Sequence, residues 1–326
     1  MTGCRPASTA AALVTDTRLA MGSQLTLSVW TDDEGGAHQA MDAVFAEFDR
    51  LEGLLSVWRE GSDVQRLNAA AGQDLIPVSA DTRRVLTAAA HASQVTHGAF
   101  DITFGALTDV WRFDHDQDNR IPTDAEIASR LPFIDHAAVV VDEAAGTAGI
   151  RRAGVRVHLG GIGKGYAVDR AIALLRDAGF ADFLIQAGGD LYAAGRRGDR
   201  PWRVGLQDPR GEPDAHFASV DLADETFSTS GDYERFFLRD GVRYHHLLDP
   251  RTGRPARGCR SVTILAARAL DADWLSTGVF ILGPDEGLSL VESMPDAEAV
   301  IVTADNAVRV TSGLRDRVRV ERAPAP

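Results

Sequence analysis

The chain has 326 residues, 44% of them hydrophobic, and a formal net charge of -13. That length supports one large packed domain or two intimate ones. An acidic chain of this kind lacks the clustered Lys and Arg that nucleic-acid backbones and anionic membranes require. Two cysteines, Cys4 and Cys259, make neither a disulfide framework nor a zinc set, and no stretch reaches the roughly 18 apolar residues of a membrane span.

Residues 1–17 read as a loose tail. They lack the charged and apolar regions of a signal peptide, so as written the chain reads as cytoplasmic. Thr2-Gly3-Cys4 has the look of a lipoprotein cleavage site. Membrane contact is therefore expected only if the true start lies upstream and Cys4 is lipidated. The alternation in "GSQLTLSVW" (22–30) predicts a strand. Met41, Val44, Phe45, Phe48, Leu51 and Leu55 recur at helical spacing and predict an amphipathic helix over 36–55. A second helix is expected over 80–96, capped by Ser79 and closed by Gly98, and Thr123 with Glu126 forms a capping box that opens a third.

Strands are expected over 137–142, 147–152 and 155–159, followed by a glycine run and a helix to about 178 that Gly179 ends. Six or seven strands follow between 183 and 267, then helices over 271–282 and 285–293, then strands 298–303 and 307–311 around the Asp305-Asn306 turn. No repeat or linker interrupts the chain. Strands outnumber helices and are often hairpin-linked, which argues for an α+β fold of mainly antiparallel sheets packed with helices. One domain is expected over 20–315, between tails at 1–19 and 316–326.

The run "HLGGIGKGYAVD" (158–169) puts four glycines and a lysine within six residues, just before a helix. A P-loop would need glycine where His158 stands and Ser or Thr where Gly165 stands, and a dinucleotide fingerprint would need glycine where Tyr166 stands. Neither fits. The physical reading is that glycines let backbone approach an anion at a helix N-terminus. The alternative is a tight strand-to-helix turn with no ligand.

In "DADWLSTG" (271–278), Asp273 and Thr277 are one helical turn apart, with Ser276 beside them. Such a pair can give Mg²⁺ a carboxylate and a hydroxyl, the ion taking its other oxygens from water and substrate phosphate. Helix capping by Asp271 or Asp273 is the plainer reading. Asp101 lies among apolar and aromatic residues in "GAFDITFGAL", as a functional carboxylate or a turn residue bonding nearby backbone. His245 and His246 are adjacent on a strand, so only one can face a site; a neutral histidine there could serve as a base.

The order of these segments carries more than any one of them. "MGS" (21–23), "LSVWREGSDVQRLN" (55–68), "GAFDITFGAL" (98–107), "LGGIGKGYAVD" (159–169), "AGGDLYAAG" (187–195), "STSGDYERFF" (228–237), "YHHLLDPRTG" (244–253), "SVTILA" (261–266) and "ADWLSTGVFILG" (272–283) together resemble the ApbE family of FAD:protein FMN transferases, over about residues 20 to 312. The resemblance implies a T-fold-like α+β architecture, FAD as substrate, Mg²⁺ as cofactor, and an acceptor flavoprotein modified on Ser or Thr with release of AMP.

By motif match it implies metal ligands at the Gly163 carbonyl, Asp273 and Thr277, with Ser276 adjacent. It implies contacts to flavin or nucleotide from Met21, Trp58, Asn68, Ala99, Phe100, Asp101, Gly161, Lys164, Tyr166 and Leu247. His246 is expected near the transferred phosphoryl as base, with Asp101 as the second candidate, and the rate should then rise with pH through the histidine's pKa. Three departures stand out. His158 occupies the place of the family's usual Asp, two prolines are lost from the Phe100–Leu107 segment, and Trp274 replaces a small residue, which is expected to narrow the site. An FAD carrier without transfer, and an FAD pyrophosphatase, are the rival functions that share these residues.

Overall fold

The computed structural model describes residues 10–212 and 214–326; Cys4 and its expected lipidation lie outside them. The centre of the fold is an eight-stranded sheet whose spatial order follows the chain: Ala12–Ala20, Ser23–Thr31, Phe183–Ala187, Asp190–Ala194, Glu225–Gly231, Cys259–Ala266, Ala297–Thr303 and Val308–Val310. Every neighbouring pair in it is antiparallel. This is the expected α+β class.

Period-2 alternation divides the side chains of this sheet between two cores. Tyr192, Val262, Ile264, Ala299 and Ile301 face the helical side. Leu191, Ala193, Phe227, Leu265, Val300 and Val302 face a second, three-stranded sheet of Trp202–Gln207, His216–Leu222 and Arg319–Val320. A third, aromatic cluster joins Trp111 and Phe113 to Phe237 and Leu248 at one end of the molecule.

Seven α-helices occur among the described residues: α1 Glu34–Leu55, α2 Asp63–Ala69, α3 Ala80–Val95, α4 Asp124–Arg130, α5 Gly163–Asp177, α6 Ala269–Leu282 and α7 Pro284–Glu292. The predicted apolar stripe of α1 is its buried face. Ser79 caps α3, and Thr123 with Glu126 completes the capping box of α4. Helix α6 is apolar on most sides and correspondingly buried. Its first turn has no cap of its own. The Asp169 carboxylate, reaching over from α5, accepts the N–H groups of Ala269 at 2.8 Å and Leu270 at 3.2 Å. Among the described residues no helix is long and apolar enough to cross a membrane.

Three expectations need correction. The loose tail over 1–17 is instead a sheet strand from Ala12 onward, paired residue for residue with Ser23–Thr31. The two-residue connection Met21-Gly22 has positive φ at both positions, 49° and 70°, the backbone of a tight hairpin turn whose twist matches the strands. Met is an unusual residue there, so the turn gave no signal.

The C-terminal tail beyond 316 is docked: Arg319–Val320 pairs with the strand His216–Leu222, Ala325 N–H donates to Asp208 Oδ2 at 3.0 Å, and Asn306 Nδ2 donates to the Pro324 carbonyl at 2.8 Å. The strand expected at 155–159 is an extended segment held by side chains and a single bridge from Arg156 to Phe104. Asn68 Oδ1 accepts the Val157 N–H at 2.7 Å and its Nδ2 donates to the Val157 carbonyl at 3.0 Å.

Candidate functional site

A cavity of about 430 Å³ opens where the N-terminus of α5 meets one end of the main sheet. Its wall includes Ala99–Asp101, Gly160–Gly161 with Lys164, the Gly188-Gly189 turn, Thr229–Gly231 with Glu234 and Arg235, and His246–Leu248, with Trp58, Trp111, Phe113 and Asp114 also lining it, while Asp273 and Thr277 of α6 form its floor. Two adjoining cavities share Trp58 and His158 with it; one also takes in Met21 and Gly163, the other Asn68. Gly188 turns at φ +61°, and a Cβ on Gly189 would lie 2.5 Å from the Thr229 carbonyl oxygen, so glycine is required for this close approach.

Asp273 is buried, and its Oδ2 accepts the Gly165 N–H at 2.8 Å. No hydrogen bond among the described residues reaches Oδ1. Desolvation, then Asp190, pushes its pKa up to about 7, against the pull of Lys164 and the Gly165 N–H. Lys164 is already committed: its Nζ pairs with Asp190, whose other oxygen accepts from Ser228. Desolvation lowers the Lys164 pKa, but Asp190 and next Asp273 outweigh it, so the ammonium is held well above its ordinary value. Thr277 Oγ1 lies 3.0 Å from Ser230 Oγ, which also meets Ser276 Oγ at 2.8 Å. Among the described residues no group of three or more His, Cys, Asp and Glu side chains is placed to hold a metal ion alone. Any cation here would rest on one carboxylate and neutral oxygens.

The strand expected to carry both histidines ends at His245, and His246 follows in a bend, so the bend rather than strand alternation directs the second ring. His245 is buried and its Nε2 donates to the Ala256 carbonyl at 2.7 Å, leaving Nδ1 to accept the Leu247 N–H at 3.3 Å. His246 is half-buried and lines the cavity. Its Nδ1 stands 3.3 Å from the Arg235 carbonyl. A carbonyl only accepts, so the proton sits on Nδ1 and the Nε2 lone pair is free. Desolvation, followed by Arg235 and His245, pushes the His246 pKa down to about 3.

Asp101 lines the cavity with its oxygens spent. Oδ1 accepts from the Thr103 N–H at 2.8 Å and hydroxyl at 2.6 Å, and Oδ2 from the His136 N–H at 3.2 Å. The turn reading of this residue therefore describes its geometry. Trp58 is 50% exposed, its ring edge-on to His115 at 4.5 Å.

His158, standing in place of the family's usual Asp, bonds to its own loop: its Nδ1 accepts the Gly160 N–H at 3.1 Å, which leaves Nε2 as a donor. Desolvation lowers its pKa, with Asp114 opposing and Arg235 adding to the shift.

Most of the expected site residues converge on these cavities; two do not. Tyr166 lines none of the three, and its hydroxyl donates to Asp81. Ser276 lies under the floor, donating to the Asp273 carbonyl at 2.9 Å. The expected narrowing by Trp274 does not occur. Its ring is buried against His91 and Phe100, its Nε1 donates to Asp271 at 3.2 Å, and it lines none of the three cavities.

The residues that sequence reasoning missed are Arg235, Asp190, Trp111 and Phe113. The alternating aromatics of "VWRF" were the available signal for the last two; Lys164 and Asp190 are too far apart in the chain to suggest their pairing.

Known proteins resemble this chain over most of its length. The model of the ApbE family matches residues 21–301. A protein of Treponema pallidum (strain Nichols) named FAD:protein FMN transferase is 35% identical over 297 residues, 87% of this chain and 82% of its own. One of Klebsiella pneumoniae (strain 342) with the same name is 33% identical over 298 residues, 91% of each chain. The crystal structure of the ApbE protein from Thermotoga maritima superposes with a TM-score of 0.87 at 33% identity, covering 94% of this chain and 99% of that one. On the family match, the relatives and the shared fold, this chain belongs to the ApbE family.

Proposed function

We propose that the chain is an FAD:protein FMN transferase that uses Mg²⁺, moves FMN from FAD onto a Ser or Thr hydroxyl of a partner flavoprotein, and releases AMP. The observation that carries this reading is one cavity lined by both an under-neutralised carboxylate, Asp273, and a neutral histidine with a free Nε2, His246.

The donor set fits Mg²⁺. Asp273 is buried with an unspent oxygen, and the nearby Lys164 is taken by Asp190. Thr277 and the Gly163 carbonyl would add neutral oxygens, with Ser276 supporting from below. Water and substrate phosphate would supply the rest, which is how Mg²⁺ is usually held. Bound there, the ion would neutralise charge on the diphosphate.

The chain's own groups do the remaining work. Trp58, exposed at the mouth, offers a face for a flat ring. The acceptor oxygen bonds to the FMN phosphorus as the bond from that phosphorus to the bridging oxygen breaks. AMP leaves with the bonding electron pair, and the hydroxyl proton passes to His246 Nε2. Asp101 is assigned to holding its turn, because both its carboxylate oxygens already accept hydrogen bonds from Thr103 and His136.

The test is incubation with FAD, Mg²⁺ and a candidate acceptor, then intact mass analysis. The expected result is an acceptor heavier by one FMN moiety, with matching AMP. AMP without a mass gain would make the chain a pyrophosphatase, and FAD binding with neither would make it a carrier.

A further inference from the structure

Arg235 stands at the junction of the main cavity and one neighbour and lines both. Its backbone carbonyl receives both the His246 N–H, at 3.1 Å, and His246 Nδ1, at 3.3 Å. Its guanidinium pairs through Nη1 with Asp114, which lines the same two cavities. No hydrogen bond among the described residues reaches Nε or Nη2. Nη2 faces the hairpin turn at Gly22, where a Cβ would lie 3.7 Å away. The other cation of the main cavity, Lys164, is held by Asp190. Lys164 is thus charge-paired, whereas Arg235 keeps an edge of its guanidinium, Nε and Nη2, without a hydrogen bond among the described residues, and such a fork suits phosphate oxygens.

We propose that Arg235 is a phosphate-contacting residue of the transfer site: its guanidinium exchanges Asp114 for the diphosphate of the bound dinucleotide, while its carbonyl holds His246 in the working tautomer. The assignment rests on the proposed transferase function. It makes Asp114 a competitor of the substrate, occupying the guanidinium until phosphate arrives.

Binding titrations of FAD and of riboflavin, which has no phosphate, test this in Arg235→Gln, Asp114→Asn and the double variant. Unfolding midpoints of the free proteins serve as the control for folding. Arg235→Gln is expected to weaken FAD about ten- to a hundredfold, the value of charge-assisted bonds to a phosphate, and to leave riboflavin within twofold. Asp114→Asn is expected to tighten FAD roughly two- to fivefold by releasing the ion pair, and this gain should vanish in the Arg235→Gln background.

A purely structural ion pair predicts the opposite pattern: both single variants weaken FAD, and riboflavin falls with it. That pattern, or unchanged FAD affinity in Arg235→Gln, would overturn the assignment while leaving the transferase reading in place. A wild-type chain that does not bind FAD would overturn both.

Discussion

Gly165 and Asp273 meet across the contact between α5 and α6. The Gly165 N–H donates to Asp273 Oδ2 at 2.8 Å, and a Cβ on Gly165 would fall 2.3 Å from the Ala269 carbonyl oxygen and 2.7 Å from Asp273 Cβ. The glycine therefore sets how near the floor carboxylate stands to the start of α5. Ala is the better helix former by about 1 kcal/mol, but overpacking costs about 1–3 kcal/mol, and here the obstacle is backbone. Gly165→Ala is expected to lower stability on balance and to weaken Mg²⁺ dependence of transfer, read by thermal unfolding and by metal titration. A variant as stable as wild type with unchanged metal response would show that the two helices can part freely.

Asp273 sets function against stability. Its folded pKa, about 7, lies above the ordinary carboxyl value, so between those two values the folded state binds more protons than the unfolded one. Stability from this group is present at acid pH and is lost as pH rises toward 7. Asp273→Asn keeps an oxygen for the Gly165 N–H and removes the charge. Without metal at pH 8 it is expected to unfold at a higher temperature than wild type, while transfer nearly vanishes; Asp273→Ala should lose transfer as well. Full activity in either variant with Mg²⁺ limiting would take Asp273 out of the site.

For His246, the structure changes the pH expectation drawn from sequence. A pKa near 3 keeps the imidazole neutral throughout the workable range. Single-turnover transfer should therefore show no histidine limb between about pH 5 and 8, instead of rising through neutrality. His246→Asn should bind FAD nearly as wild type and transfer about 10²–10⁴-fold more slowly, the range of general acid–base help. A limb near pH 6.5 that disappears in His246→Asn would mean that solvent or ligand reverses the desolvation; a variant at wild-type rate would place the base elsewhere.

Trp58 is among the most exposed large apolar side chains described and lines all three cavities. Trp58→Ala should weaken FAD binding about tenfold while barely changing stability, and Trp58→Phe should recover most of the loss. Quenching of tryptophan fluorescence by FAD should shrink in both. Undiminished quenching in Trp58→Ala would assign it to Trp111.

Elements whose signals are local were legible in the sequence. Ser79, the Thr123–Glu126 box and the α1 stripe each act within a turn or two of helix. Helix α2 was missed although Ser62 caps it, because seven residues show little periodicity. The segment 155–159 has a strand's alternation, yet its backbone meets only the Asn68 side chain on one side and a single bridge near Phe104 on the other, with no ladder. In the site, the expected residues came from motif order, whereas their chemical state came from contacts distant in sequence. Lys164 is paired with Asp190, the His246 tautomer is set by the Arg235 carbonyl, and Asp101 is engaged by Thr103 and His136. Local periodicity carries none of this.

Because the strands of the main sheet stand side by side in chain order, a nascent chain can add each strand to the one before it. The long excursion between Thr31 and Phe183, which holds α1 to α5, is the main interruption. The floor of the cavity, however, is Asp273 and Thr277 of α6. A ribosome must pass residue 277 before any site exists, so ligand capture would report near-complete synthesis. Nascent chains stalled before α6 should resist protease over the N-terminal hairpin and show no FAD-dependent protection, which should appear only once α6 has emerged.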